Sequence, residues 1–126
     1  MSKILEKINN EQLQLIPKVQ EYIQYMLDTL IKLPRTEKFS IGNEYKSSMY
    51  KLLQYILYVS KIEKEQRLEY INKIDAELNC QRIYLRIMYK NKWINDKKFN
   101  VAISKISEIG KIVGGLVKYY AKNNKE

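Results

Sequence analysis

Histidine does not occur in this chain of 126 residues, and cysteine occurs once, at Cys80. Without imidazoles or paired thiolates, the ordinary ligand sets for zinc and haem are missing, as is the base of a hydrolytic triad. A lone cysteine also excludes a disulfide framework and fits a reducing, cytoplasmic setting. Four glycines and two prolines are too few for the many turns of an all-β fold. Long apolar runs are lacking too. The longest, Leu52–Ser60, falls far short of the roughly 20 residues that span a bilayer. Met1–Leu15 is interrupted by Lys3, Glu6, Lys7 and Glu11, so no signal peptide is expected and the protein is read as soluble, without a membrane partner. No glycine-rich phosphate loop occurs. Ser47, Ser48 and Cys80 have no base at a distinctive spacing, and the carboxylates lack the di-iron pattern. An enzyme is therefore not expected, nor a metal or other cofactor. Cys80 is read as a small core or boundary residue.

Acidic residues are scarce in one region only. Residues 1–79 hold 12 basic and 11 acidic side chains, a net of +1, whereas residues 80–126 hold 11 basic and 3 acidic, a net of +8. The positive field of the whole chain, +9, thus belongs to its last third. Such a field attracts polyanions, anionic surfaces or an acidic protein, although basicity can also serve solubility alone.

What the chain has is helical periodicity over a core-forming composition, 45% hydrophobic with eleven tyrosines. A single domain over 1–126 is expected, with 1–15 as an N-terminal extension in which Ile4, Leu5 and Ile8 form a short amphipathic piece broken at Asn9–Asn10. A first helix runs from about Pro17 to Leu33 on the stripe Val19, Ile23, Met26, Leu30 and Leu33. Pro34 stops it. Arg35 to Lys38 are too polar for a core, Phe39 re-enters it, and Ser40 caps a second helix from about Ile41 to Val59. A third helix, about Glu65 to Lys90, carries Leu68, Ile71, Ile74, Leu78, Gln81, Leu85 and Met88 in heptad-like alternation. Trp93 and Ile94 cover the bundle end. A fourth helix, capped by Asn95, runs from about Asp96 to Lys122 on Phe99, Ala102, Ile103, Ile106, Ile109, Val113, Leu116 and Tyr120. Gly110, Gly114 and Gly115 each cost about 1 kcal/mol relative to alanine and suggest close approach of another backbone. The architecture expected is all-α: an antiparallel, up-down-up-down four-helix bundle.

Within such a bundle Tyr22, Tyr25, Tyr55, Tyr58, Tyr84, Tyr89, Tyr119 and Tyr120 are expected in the outer core with their hydroxyls at the rim, rather than stacked on bases. Leu57, Ile83, Tyr84 and Ile87 lie off the main stripes and are candidates for a subunit interface. Arg82, Arg86 and Lys90, spaced i, i+4 and i+8, share one face of the third helix with no acid in the same stripe. Either they contact a polyanion or acidic partner, or they form a solvated face. Lys97, Lys98, Lys105 and Lys111 extend the positive field on the next helix.

Three segments carry a family resemblance. Leu33-Pro34-Arg35 followed by Phe39-Ser40-Ile41-Gly42 resembles the corner of accessory variability determinant (Avd) proteins, the small basic subunits of diversity-generating retroelements. Ile74-Asp75-Ala76-Glu77-Leu78 with Arg82 and Leu85-Arg86 is similar to that family's Leu-Asp-x-x-Leu-Arg…Leu-Arg pattern, shifted in detail. Glu108-Ile109-Gly110-Lys111-Ile112-Val113-Gly114-Gly115-Leu116 resembles its closing segment, with Leu116 where tryptophan is frequent. The similarity spans about Val19–Tyr120. It implies a four-helix bundle that assembles as a homopentameric barrel and binds a reverse transcriptase together with the element's RNA and DNA. That assembly supports mutagenic copying of a template repeat into a variable repeat, with Arg82 and Arg86 on the basic functional surface. The alternatives are a bundle of the kind encoded in ribosomal-RNA intervening sequences, or a generic interaction bundle with an acidic partner. The first of these carries an Asn-Ile-Ala-Glu-Gly signature at the end of its second helix. Here that stretch reads Leu53-Gln54-Tyr55-Ile56-Leu57.

Overall fold

The computed structural model describes the backbone of residues 2–124 and the side chains of residues 14–122. It contains α1 (Ser2–Leu30), a single turn α2 (Arg35–Lys38), α3 (Ile41–Val59), α4 (Lys64–Lys90) and α5 (Asp96–Asn124), with no strand among the described residues. The four long helices pack in a ring, α1 on α3, α3 on α4, α4 on α5 and α5 back on α1. Cross-helix partners step in opposite directions along neighbouring helices. Tyr45 meets Tyr84 while Tyr55 meets Tyr70, and Glu21 meets Lys105 while Lys18 meets Glu108. The chain is thus the antiparallel, up-down-up-down bundle that its apolar spacing predicts.

The apolar stripes turn inward as expected. Val19, Met26 and Leu30 of α1, Met49, Leu52 and Ile56 of α3, Ile71, Leu78 and Leu85 of α4, and Ile106, Ile109 and Val113 of α5 are all buried in one core. No helix among the described residues is long and apolar enough to cross a membrane.

Four local expectations need correction. First, α1 does not begin at Pro17 and does not break at Asn9–Asn10: its backbone is helical from Ser2 onward. Pro17 is exposed and lies inside α1, where it forfeits one helical hydrogen bond without ending the helix. Second, Phe39 stays outside, 72% exposed. α1 ends at Leu30 rather than at Leu33, the Lys32 and Leu33 amides closing tighter turns onto Thr29 and Leu30; Pro34 follows, and its carbonyl accepts the Glu37 and Lys38 amides at 2.8 and 3.0 Å and starts α2. That extra turn brings the Glu37 carbonyl and the Leu33 side chain against Gly42, where a Cβ would sit 3.2 Å from Glu37 O and 3.5 Å from Leu33 Cδ1. Leu33 and the bare Gly42 backbone close the corner, with Leu33 rather than Phe39 buried there. Ser40 holds the N-cap position of α3 without a side-chain cap bond.

Third, Tyr22 and Tyr120 are fully buried, hydroxyls included, and Tyr58 and Tyr89 are exposed, whereas Tyr25, Tyr55, Tyr84 and Tyr119 are half-buried as expected. Tyr22 is accommodated by a directed chain of hydrogen bonds. Tyr45 donates to Tyr22 (2.5 Å), Tyr22 to Gln81 Oε1 (2.6 Å), Gln81 Nε2 to Ser48 (2.9 Å) and Ser48 to Glu77 (2.7 Å). The chain links α1, α3 and α4 through the core. Burial raises the pKa of both Tyr22 and Tyr45 above the usual phenol value. Fourth, the α5 glycines do not mark a close backbone. Gly114 and Gly115 face open space, and the neighbour at Gly110 is a side chain, that of Arg82.

Candidate nucleic-acid interface

Along α4, Arg82, Arg86 and Lys90 step by four residues. Each step rotates about 40° around the axis and climbs about 6 Å, so the row starts beside the core and drifts outward. Arg82 is half-buried, whereas Arg86 and Lys90 are exposed. The Arg82 guanidinium donates to Asn79 Oδ1 at 2.6 Å and lies across the seam against α5. A Cβ at Gly110 would stand 2.6 Å from Arg82 Nη2, so the glycine makes the notch in which that guanidinium rests. Among the described residues no carboxylate pairs with Arg82, Arg86 or Lys90. A held, uncompensated arginine presents its donor fork with less conformational freedom to lose on binding an anion.

The same seam ends at the α4–α5 corner. The Trp93 amide bonds to the Met88 carbonyl (2.9 Å) and the Lys92 amide to that of Tyr89 (3.0 Å), the paired bonds of a Schellman motif. Lys92 takes the left-handed position of that motif, φ 62°, where glycine is usual. Asn95 then caps α5 as predicted, its Oδ1 accepting the Lys98 amide at 2.8 Å. Tyr89 stacks on Phe99 with ring centroids 4.4 Å apart at 17°, and its hydroxyl donates to Asp96 Oδ1 at 2.5 Å. That bond to the carboxylate raises the Tyr89 pKa. Tyr89, Lys90, Lys92, Trp93, Asp96 and Lys97 border an open depression of about 970 Å³.

The seven basic residues singled out from the sequence therefore fall into separate groups. Arg82 lies on the α4–α5 seam, Arg86 is exposed one turn further along α4, and Lys90 and Lys97 border the corner depression. Lys98 and Lys105 lie on the opposite seam, toward α1: both sit over the Tyr25 ring, at 5.1 and 5.6 Å. Lys105 is also paired with Glu21 at 2.8 Å and lowers that carboxylate's pKa. Its charge is largely answered within the bundle. Lys111 is exposed, one residue past the notch. Lys92 was missed by periodicity because it lies in a turn. The readable signal was the interleaving of Tyr89, Lys90, Lys92 and Trp93.

The model of one protein family, described as bAvd-like, matches residues 13–120. The chain belongs to the bAvd-like family. The match takes in α3 and α4 whole, most of α1 and α5, and all seven basic positions. No curated protein matches the chain, and no solved structure does. The family bears out the Avd resemblance, all three of whose segments lie within the match, and points to an accessory protein of the Avd type, from a non-catalytic family.

Proposed function

We propose that this bAvd-like bundle serves a diversity-generating retroelement as a basic, oligomeric accessory subunit that binds the reverse transcriptase and the element's RNA and DNA. The observation that carries this reading is the unpaired row Arg82, Arg86 and Lys90, one member of which is seated in a glycine notch. A row of cations at regular spacing along a rigid helix suits a phosphate backbone. Exposed Ile83 and Ile87, on the outside of the same helix, supply apolar surface for self-association, and the family resemblance points to a pentamer. A reducing cytoplasm is the setting proposed for it, and a single cysteine with no disulfide partner fits that setting.

The test joins three measurements on the full chain. Light scattering gives a pentamer, and a monomer at micromolar concentration contradicts the oligomer. Co-purification with the reverse transcriptase persists after nuclease treatment. Affinity for RNA or single-stranded DNA falls steeply with salt. Replacing both Arg82 and Arg86 by alanine lowers the slope of log affinity against log salt by about 1.4 for a single strand, the share of two phosphate contacts. A slope unchanged by the double substitution removes these residues from the interface.

A further inference from the structure

The α4–α5 corner differs from the rest of the basic face in carrying rigid aromatic surface. Tyr89 borders the depression, while Phe99 supports it from behind, stacked at 4.4 Å, and Asp96 holds its hydroxyl. The ring is thus fixed at both its face and its tip, and little freedom remains to be lost when a flat ligand settles beside it. Trp93 borders the same depression, half-buried and positioned by the Schellman bonds. Around these rings stand Lys90, Lys92 and Lys97 against the single carboxylate of Asp96, which is already engaged by Tyr89. Lys92 keeps a long cationic side chain at a backbone angle that favours glycine, so the corner holds charge at some conformational cost. Tyr89 lies two turns, about 10 Å, along α4 from Arg82, on the same seam with α5.

We infer that this corner is a subsite for one unstacked base of a single-stranded nucleic acid, with Tyr89 and Trp93 flanking the base and Lys90, Lys92 and Lys97 on the adjoining phosphates. The inference rests on the nucleic-acid reading of the Arg82–Lys90 row and extends it to the base. A duplex keeps its base faces stacked and offers nothing to Tyr89, so the corner favours single strands. A peptide of acidic residues alone, such as oligoglutamate, would meet the lysines but has no flat ring to lay against the tyrosine. Stacking on an aromatic side chain is sequence-tolerant and contributes about tenfold in affinity per base.

Trp93 is the only tryptophan in the chain and so reports directly on the corner. The experiment titrates the full chain with a short oligothymidylate and with its abasic analogue, following tryptophan emission and the anisotropy of a labelled strand. The base-bearing strand is expected to change the Trp93 emission and to bind about tenfold more tightly. Tyr89→Leu should abolish that difference while leaving abasic binding and the salt slope alone, and Tyr89→Phe, which keeps the ring, should retain it. Equal affinity for the two strands with unchanged emission, in a protein whose binding still depends on Arg82 and Arg86, overturns the base subsite alone. Failure of both strands to bind at low salt overturns the basic interface as well. An oligoglutamate that binds as tightly as the oligothymidylate, and shifts the same emission, assigns the corner to a protein partner instead.

Discussion

The two faces of α4 hold polar side chains by opposite means, and neighbouring residues show it. Gln81 occupies a core position of the stripe and has no exposed surface. It is held because Tyr22 donates to its oxygen and its nitrogen donates to Ser48, so every member of the chain from Tyr45 to Glu77 finds a partner. Arg82 is held by a missing atom, the Cβ of Gly110, together with one bond to Asn79. The inner arrangement is reciprocal: removing any member orphans its neighbours in a dry environment. The outer arrangement is one-sided, leaving several guanidinium donors for a ligand. Stability should therefore be concentrated in the first and binding in the second.

Four substitutions or conditions probe that division, from the largest expected effect on stability to the smallest. Gln81→Ala empties a core position and strands Tyr22 and Ser48. Urea denaturation should show a loss of about 2–4 kcal/mol, with nucleic-acid affinity of the folded protein intact. A loss under 1 kcal/mol would mean that the chain from Tyr45 to Glu77 does not brace the core. Alkali should act on the same face. The folded-state pKa values of Tyr22 and Tyr45 lie above the ordinary 10.0, so their contribution is fully present below pH 10 and is lost as pH rises beyond it toward those values. Thermal melts should fall above pH 10, and less steeply in Tyr22→Phe. Gly110→Ala should change stability by no more than about 1 kcal/mol, since gained helix propensity offsets the displaced, flexible arginine end. Affinity for single-stranded nucleic acid should nevertheless drop toward that of Arg82→Ala, and the glycine change should add nothing in an Arg82→Ala background. Additive losses would show that the notch does not act through Arg82. Lys92→Gly relieves a left-handed residue and should stabilise by up to about 1 kcal/mol, while reducing the salt slope by less than one.

The bundle itself was legible from spacing because each long helix buries one continuous stripe. The bounds of α3 came out as Ile41–Val59 for that reason, and the Asn95 cap for its side-chain chemistry. Phe39 and the hydroxyl of Tyr22 were misplaced for a different reason. Hydrophobicity says that a ring prefers burial, but it cannot say which residue fills a given slot. At the first corner Leu33 is the side chain buried beside Gly42, and in the core Gln81 supplied a partner that let a phenol go deeper than the rim. The glycines of α5 were recognised as costly, but only Gly110 meets a close neighbour, and that neighbour is 28 positions away in sequence. Of the candidate interface, the Arg82–Lys90 row was visible as a period, whereas Lys92 and the Tyr89–Phe99 stack depend on how the chain turns between two helices.

The alternating direction of the helices also settles where the chain can be handled. Ser2 of α1 and Asn124 of α5 depart from the same pole as the turn between α3 and α4, whereas the Lys90–Asp96 corner lies at the other. The 27 residues of α4 put roughly 40 Å between the two poles. A dye, an immobilisation handle or a fused domain attached at either end of the chain therefore stands clear of the basic corner, and a surface-tethered bundle would offer that corner to the solution.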